Sequence, residues 1–374
     1  MLRPSAILRL AAPLLVLTTV AAACSSSSKS SSSSSAATTG TSASAAATTA
    51  APSAKVSGTL TGSGSTFQQP FDEVAIQTFE QANSGATVNY QGKGSGGGQT
   101  DLSNQVVDFA GSDAPVPAAN LSTFKGGAIL NFPLVVAPIT MSYNLPGNPK
   151  VNLDAATIAK IFLGKITSWN DPAIAADGNS GLPNLPITVV VRSDSSGTTQ
   201  NFTTYLTKAD PADWTLGASK TIKWPGSPTE GNGNPGVASD IKAKSGAIGY
   251  VDFSDAEATN LTWAKVKNLA GNYVDASLAG ASAAAADASV NADLTFSPIN
   301  QTGAQDYPIT SPTYIITYAK YSDAGKVALL KAFLQFVLGP TGQGLSNQQN
   351  LGFAPLPQAL DQKALAQIDS ITVG

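Results

Sequence analysis

The sequence predicts an α/β protein of two lobes, and three observations carry that expectation. About 320 of the 374 residues lie beyond a low-complexity N-terminal stretch, and a single core rarely grows that large. Short apolar runs feed glycine- and serine-rich turns that open onto segments of helical periodicity, which reads as repeated strand–turn–helix units. Charged residues make up only 12% of the chain, while Gly, Ser, Ala and Thr are abundant. That composition fits an exported protein with many tight turns and not a coiled coil.

Charge and residue usage exclude several functions. The formal net charge is −3 and there is no histidine. A chain near neutrality lacks the basic face that nucleic acid requires. Without histidine there is no Ser-His-Asp triad, and the commonest general base and zinc ligand are both missing. The single cysteine cannot close an internal disulfide.

That cysteine belongs to the N-terminal layout. Arg3 and Arg9 precede an apolar run from Leu10 to Val20, followed by Ala21-Ala22-Ala23-Cys24. Residues 1–23 read as a signal peptide, since the run is too short to span a bilayer. A cysteine directly after small residues resembles a bacterial lipobox, with Ala21 where Leu or Val is usual. Cys24 is therefore expected to carry a lipid. Residues 25–54 are Ser, Ala, Thr and little else, with Lys29 the only charge. Nothing in them offsets the entropy of ordering, so 24–55 reads as a lipidated cysteine and a flexible tether. The globular body would then work close to a membrane surface.

In the body, Leu60 to Phe67 leads through Gly62-Ser63-Gly64-Ser65 to a helix with Pro70 in its first turn. Phe71, Ala75, Thr78, Phe79 and Ala82 would line its buried face, leaving Thr66 and Phe67 at the helix start. A strand from Thr87 to Tyr90 precedes Gly92-Lys93-Gly94-Ser95-Gly96-Gly97-Gly98 and a helix expected to reach Val106. This stretch holds a literal G-x-G-x-x-G, with Asp113 downstream after the strand Val107 to Ala110. A dinucleotide site is one reading. An anion-facing loop presenting the Ser95 hydroxyl is the other. The motif's place after the second strand, the extracellular setting and the many neighbouring glycines weigh against the dinucleotide. Asp113, in Gly111-Ser112-Asp113-Ala114-Pro115, could by itself be a simple turn residue.

The stretch Arg192-Ser193-Asp194-Ser195-Ser196-Gly197-Thr198-Thr199 follows the apolar strand Ile187 to Val191. It enters a helix marked by Phe202, Tyr205 and Leu206. Such a turn offers free N–H groups, hydroxyls and one guanidinium, a set that suits a tetrahedral oxyanion. Taken alone, the stretch would more often be an ordinary N-cap.

Taken together, Gly62–Pro70, Val88–Gly98, Val107–Pro115 and Val189–Phe202 resemble the phosphate-binding lipoproteins of bacterial phosphate ABC transporters, in order and in spacing. Ile158–Ile166 with Trp169-Asn170-Asp171-Pro172, Gly246–Val251 and Tyr307–Ser311 extend the resemblance over nearly all of residues 57–374. It implies a type II periplasmic-binding-protein-like fold, with mixed sheets flanked by helices and the ligand in the cleft between lobes. Lobe I would comprise 56–136 plus 301–374, and lobe II 137–300. Carried over by position, the phosphate contacts would be Thr66, Phe67 through its backbone N–H, Ser95, Asp113, Arg192, Ser196, Gly197 and Thr198. Asp194 would pair with Arg192 behind them. Ser65 and Ser195 depart locally from the family pattern and are read as bystanders.

The resemblance further implies a binding protein and not an enzyme, with no cofactor, metal or catalytic residue. Its partners would be inorganic phosphate and the membrane permease subunits. The protein is expected as a monomer, lipid-anchored on the outer face of the cell membrane. An aspartate among anion-binding turns makes sense if the ligand carries a proton to donate. Hydrogen phosphate does, and sulfate at neutral pH does not. Rival readings are a sulfate or molybdate binder, a secreted phosphatase, which lacks a carboxylate cluster for a metal pair, and the Rossmann oxidoreductase.

For the rest, Asp154 should cap a helix whose core face is Ile158, Ile161 and Phe162, stopped by Gly164. Residues 225–236 read as a loop, Ala281 to Ala292 as a helix, and Lys326 to Leu338 as a core helix ended by Gly339-Pro340. Leu130 to Ile139 and Ser297 to Tyr318 are the expected crossings between lobes.

Overall fold

A computed structural model describes residues 55–348 and 351–374; Cys24, the leader and most of the tether lie outside them. Two strand–turn–helix units open the fold: β1 (Ser57–Gly64) with α1 (Gln69–Ala82), then β2 (Gly85–Gly92) with α2 (Ser95–Ser103). β3 (Phe109–Ser112) ends at the turn that holds Asp113, and β4 (Ile129–Tyr143) is a 15-residue strand. There follow β5 (Asn152–Leu153), α3 (Ala155–Phe162), α4 (Pro172–Ala176), β6 (Thr188–Arg192), α5 (Gly197–Ala209), β7 (Thr229–Gly231) and α6 (Gly233–Ala243). β8 (Ala247–Asp252), α7 (Phe253–Ala258), β9 (Thr262–Lys267), β10 (Tyr273–Val274) and α8 (Leu278–Asp287) complete the middle of the chain. The return consists of β11 (Thr310–Tyr318), β12 (Lys320–Tyr321), α9 (Ala324–Leu338), α10 (Pro340–Gln348), α11 (Gln358–Gln367) and β13 (Thr372–Val373).

The main sheet runs β2-β1-β3-β11-β4-β8-β6-β7, with β9 alongside β4. It is mixed. β2, β1 and β3 are parallel, as are β8, β6 and β7, while β11 and β4 run antiparallel to their neighbours. The first expected crossing lies within β4; of the second, only Thr310–Tyr318 is strand, and that strand, β11, pairs within the first half. β4 changes partner midway: Ile129 to Pro138 pairs with β11, and Ile139 to Tyr143 pairs with β8. The two halves of the sheet are thus joined through one continuous strand, where a small change of twist turns one half against the other.

Each half carries its own packing. In the first, Phe67 and Phe71 meet Phe353 edge-on with centroids 6.0 and 6.1 Å apart, so the C-terminal return closes over α1. In the second, Phe202 stacks on Tyr250 at 4.5 Å and touches Phe162 at 4.7 Å, fixing α5 against β8 and α3. Truncating an aromatic at such a place costs about 3–5 kcal/mol. A smaller cluster of Val190, Val237, Ala238, Ile241 and Val251 holds α6 to β6 and β8.

The local expectations fare unevenly. Asp154 caps α3 by accepting from the Thr157 N–H, and Gly164 follows that helix with φ +68°. Ala82, expected on the buried face of α1, is exposed. α2 stops at Ser103 and not at Val106, because Gln105 turns left-handed with φ +58°. α8 starts at Leu278, capped by Ser277, and ends at Asp287 instead of Ala292. The expected loop 225–236 contains β7 and the first turn of α6. Among the described residues no helix is long and apolar enough to cross a membrane.

Candidate functional site

The predicted residues converge where the two halves face each other across the sheet. From the first half come the turn after β1 (Ser65, Thr66, Phe67), the start of α2 (Ser95) and the end of β3 (Asp113). From the second come the end of β6 (Arg192, Asp194) and the start of α5 (Ser196, Gly197, Thr198). These strand ends open onto helix starts, which direct backbone N–H groups and the positive ends of helix dipoles inward.

Asp113 is the centre of the first wall and is only 1% exposed. Its Oδ1 accepts from the Ser65 hydroxyl, and its Oδ2 accepts from Ser95 Oγ at 3.2 Å. The Asp113 N–H in turn donates to Ser95 Oγ at 3.1 Å. Burial drives the carboxyl up to about 7, while Ser65, Arg192 and Ser95 draw it down and Asp252 adds to the rise. The two hydroxyls and the guanidinium favour the ionised form, which can only accept, against the cost of burial. Ser65 is therefore no bystander. It also accepts from the Phe67 N–H at 3.0 Å and the Gln68 N–H at 3.3 Å, which shapes the entry to α1. A ligand reaching the Phe67 N–H would share it with Ser65.

Arg192 dominates the second wall. Its side chain is 1% exposed and gripped by Asp194, with Nε to Oδ1 at 2.7 Å and Nη2 to Oδ2 at 2.5 Å. This two-point pairing fixes the plane of the guanidinium. The Gly233 N–H braces Asp194 Oδ1 at 3.2 Å. Arg192 Nη1 donates to Thr198 Oγ1 at 3.3 Å. Behind it, Tyr250 Oη accepts from the Arg192 N–H at 3.2 Å and shares a 2.7 Å hydrogen bond with Thr199 Oγ1. Ser196 is an N-cap after all: its Oγ accepts from the Thr199 N–H at 3.1 Å. The same geometry places it at the cleft.

The walls are in contact. A Cβ on Gly197 would lie 2.3 Å from Ser95 Oγ and 2.7 Å from Asp113 Oδ2, so only glycine lets α5 approach this closely. The Gly96 N–H donates to Ser195 O at 2.8 Å, Asn201 Nδ2 to Asp113 O at 2.7 Å, and Lys220 Nζ to Gln99 Oε1 at 2.9 Å. The cleft is closed. This also explains the glycine motif read as a dinucleotide fingerprint. Gly94 has φ +76°, and a Cβ there would lie 2.0 Å from Asp194 Oδ2. These glycines admit the opposite wall, and one of their N–H groups is already bonded to it.

Sequence reasoning missed Asn234, at the second position of α6. Fully buried, it donates from its N–H to Thr66 Oγ1 at 3.2 Å and from Nδ2 to Thr198 Oγ1 at 3.2 Å. Two signals mark this turn: Pro235 within the first helical turn, and Val237, Ala238 and Ile241 at helical spacing. The surrounding Gly-Asn-Gly-Asn-Pro-Gly hides both.

Comparison with known proteins gives the class first. A family model described as a PBP superfamily domain matches residues 49–341. Phosphate-binding protein PstS of Pasteurella multocida is 36% identical over 83% of this chain and 89% of its own. PstS 3 of Mycobacterium tuberculosis is 37% identical over 84% of this chain and 86% of its own. A high-affinity periplasmic phosphate-binding protein, solved with phosphate bound, is 27% identical with a TM-score of 0.68, covering 83% of this chain and 94% of that one. Within the PBP superfamily, the chain belongs to the family of phosphate-binding proteins PstS.

Proposed function

We propose that this protein captures inorganic phosphate outside the cell membrane and delivers it to the permease of a phosphate ABC transporter, its lobes closing around the anion. The observation that carries the reading is Asp113, a buried carboxyl set against hydroxyls, a helix start and Arg192. The proposed contacts are Thr66, Phe67 through its N–H, Ser95, Asp113, Arg192, Ser196, Gly197 and Thr198, with Asp194 orienting Arg192. Hydroxyls, N–H groups and the guanidinium donate to oxygens that only accept. Asp113 accepts a hydrogen bond from the one proton the ligand still carries. Sulfate brings no proton and would leave a carboxylate facing an anion, a penalty that discriminates strongly.

In this reading the protein binds and releases without chemistry, as a monomer, anchored by a lipid on Cys24 to the outer face of the membrane. Lobe I is 56–136 with 301–374, and lobe II is 137–300, a division supported by the change of partner along β4. Labelling cells with a fatty acid should mark the protein and miss Cys24→Ala. The function itself is tested by titrating residues 55–374 calorimetrically with phosphate and with sulfate, after bound ligand is stripped. Saturable binding of one phosphate and no response to sulfate is expected; indifference to phosphate, or equal response to both, refutes the reading.

A further inference from the structure

We propose that Asn234 is a positioning residue that commits the hydroxyls of Thr66 and Thr198 to donate toward the ligand, while tying the two lobes in the closed state. The inference rests on the phosphate reading above and adds to it a residue outside the expected contact set. Its basis is a count of donors and lone pairs.

A threonine hydroxyl has two acceptor lone pairs and one hydrogen to give. Thr66 Oγ1 receives the Asn234 N–H at 3.2 Å and, more weakly, its Nδ2 at 3.4 Å. Thr198 Oγ1 receives Asn234 Nδ2 at 3.2 Å and Arg192 Nη1 at 3.3 Å. Both oxygens are thus supplied with donors, and two of the three supplying groups, a backbone N–H and a guanidinium, can never accept. What remains on each threonine is its hydrogen. Both hydroxyls are thereby set as donors before an oxyanion arrives, so no reorientation is needed on binding.

Two further features argue against a simple packing role. Asn234 is 0% exposed, yet its Oδ1 has no hydrogen-bond partner among the described residues. A buried amide oxygen left this way carries a desolvation cost that an apolar residue would avoid. The amide is also shared between walls, because Thr66 follows β1 in the first half while Thr198 and Asn234 start α5 and α6 in the second. A group bonded to both walls is bonded only when the cleft is closed, so its loss should speed opening more than it slows capture.

The test uses the mature protein with inorganic phosphate, by calorimetry and stopped-flow, on the wild type, Asn234→Ala, Thr66→Val, Thr198→Val and the two double variants. Asn234→Ala keeps the backbone N–H bond to Thr66 and removes the Nδ2 bond to Thr198 with its weaker contact to Thr66; it should weaken binding roughly three- to tenfold, with most of the change in the release rate. In the Thr198→Val background the same substitution should cost clearly less, because the Nδ2 bond it removes runs chiefly to that hydroxyl; in Thr66→Val, which the side chain meets only at 3.4 Å, it should cost slightly less. Full additivity, or a loss confined to the capture rate, would overturn the proposal. Should Asn234→Ala fail to fold, Asn234→Asp keeps the shape but offers acceptor oxygens that draw the threonine hydrogens away from the ligand. It should bind phosphate at least as poorly, and wild-type affinity in that variant would equally overturn the proposal. A wild type that does not bind phosphate at all would remove the phosphate reading and this inference together, and would be seen before any variant is compared.

Discussion

The two walls of the cleft are built alike and charged differently. Each presents strand ends and helix starts to the same space. The first wall contributes Asp113 with its serine partners, and Asp72 lies close enough for the two carboxyls to influence one another. Burial, moderated by Gln68, lifts Asp72 to about 8. The second wall contributes Arg192, clamped by Asp194, and Lys220, whose amine reaches across to Gln99. The fixed cation and the buried carboxyl therefore sit on opposite sides of the strand that joins the halves, and the proposed function gives attraction to one and selection to the other. On the proposed reading, an anion drawn to the second wall would be tested for a proton only when the first wall meets it.

The sharpest way to break this division is at the cation. Arg192→Ala removes the charge and leaves Asp194 buried without its partner, a change that typically costs roughly 3–5 kcal/mol. Phosphate affinity should fall accordingly in a calorimetric titration, while Arg192→Lys keeps the charge, loses the fork and falls between. An alanine variant that binds normally would put the site elsewhere. On the opposite wall, Asp113→Asn should act on selectivity. A hydrogen bond to a charged group contributes about 1.5–3 kcal/mol, so phosphate binding should weaken by no more than that and sulfate binding should become measurable. Titrating both anions at one pH and ionic strength decides it; continued rejection of sulfate would show that Asp113 does not select through the proton.

Closure itself can be strained from the first wall. Gly94→Ala places a Cβ against Asp194 at a backbone angle side chains resist, and overpacking of this kind costs about 1–3 kcal/mol. Small-angle scattering with saturating phosphate should show a more open variant than wild type. The last expectation concerns stability and not binding. Asp113 and Asp72 are lifted mainly by burial to about 7 and 8, from a carboxylate's ordinary value of 3.8, and Asp255 is raised too, by burial and by Asp252 beside it. Between those limits the folded protein holds protons that the unfolded chain has released. Its stability therefore declines as pH rises from about 4 through neutrality. In phosphate-free buffer, melting should come at a higher temperature at pH 5 than at pH 8, with a shallower dependence in Asp113→Asn.

How much of this could be read from the chain differs by region. The turn from Arg192 to Thr199 was legible because its parts are contiguous: strand, charge, hydroxyls and helix period follow one another. Asp113 was singled out because an acid among such turns asks for a chemical reason, and the structure buries it beside Ser65 and Ser95. Ser65 was not, since its meaning depends on a carboxyl 48 positions away. Asn234 was hidden by glycines, prolines and asparagines, which signal a loop locally even where tertiary packing starts a helix. The extent of α2 was misjudged because no residue type announces the left-handed turn at Gln105.

The place of β11 has a consequence for the order of folding. It lies between β3 and β4, pairing Ile316 with Ala110 on one side and Asn131 on the other. A ribosome delivers those two partners long before it delivers β11. Until then their facing edges cannot zip together, and closing so long a loop carries a high entropic barrier. The first half therefore assembles late, after the second half's own strands have been made. In the interval β3 and β4 expose unpaired edges that invite association with other chains. On the export proposed above, a polypeptide that must stay threadable would be served by that delay, because the sheet of its first half is incomplete until the last fifth of the sequence has emerged.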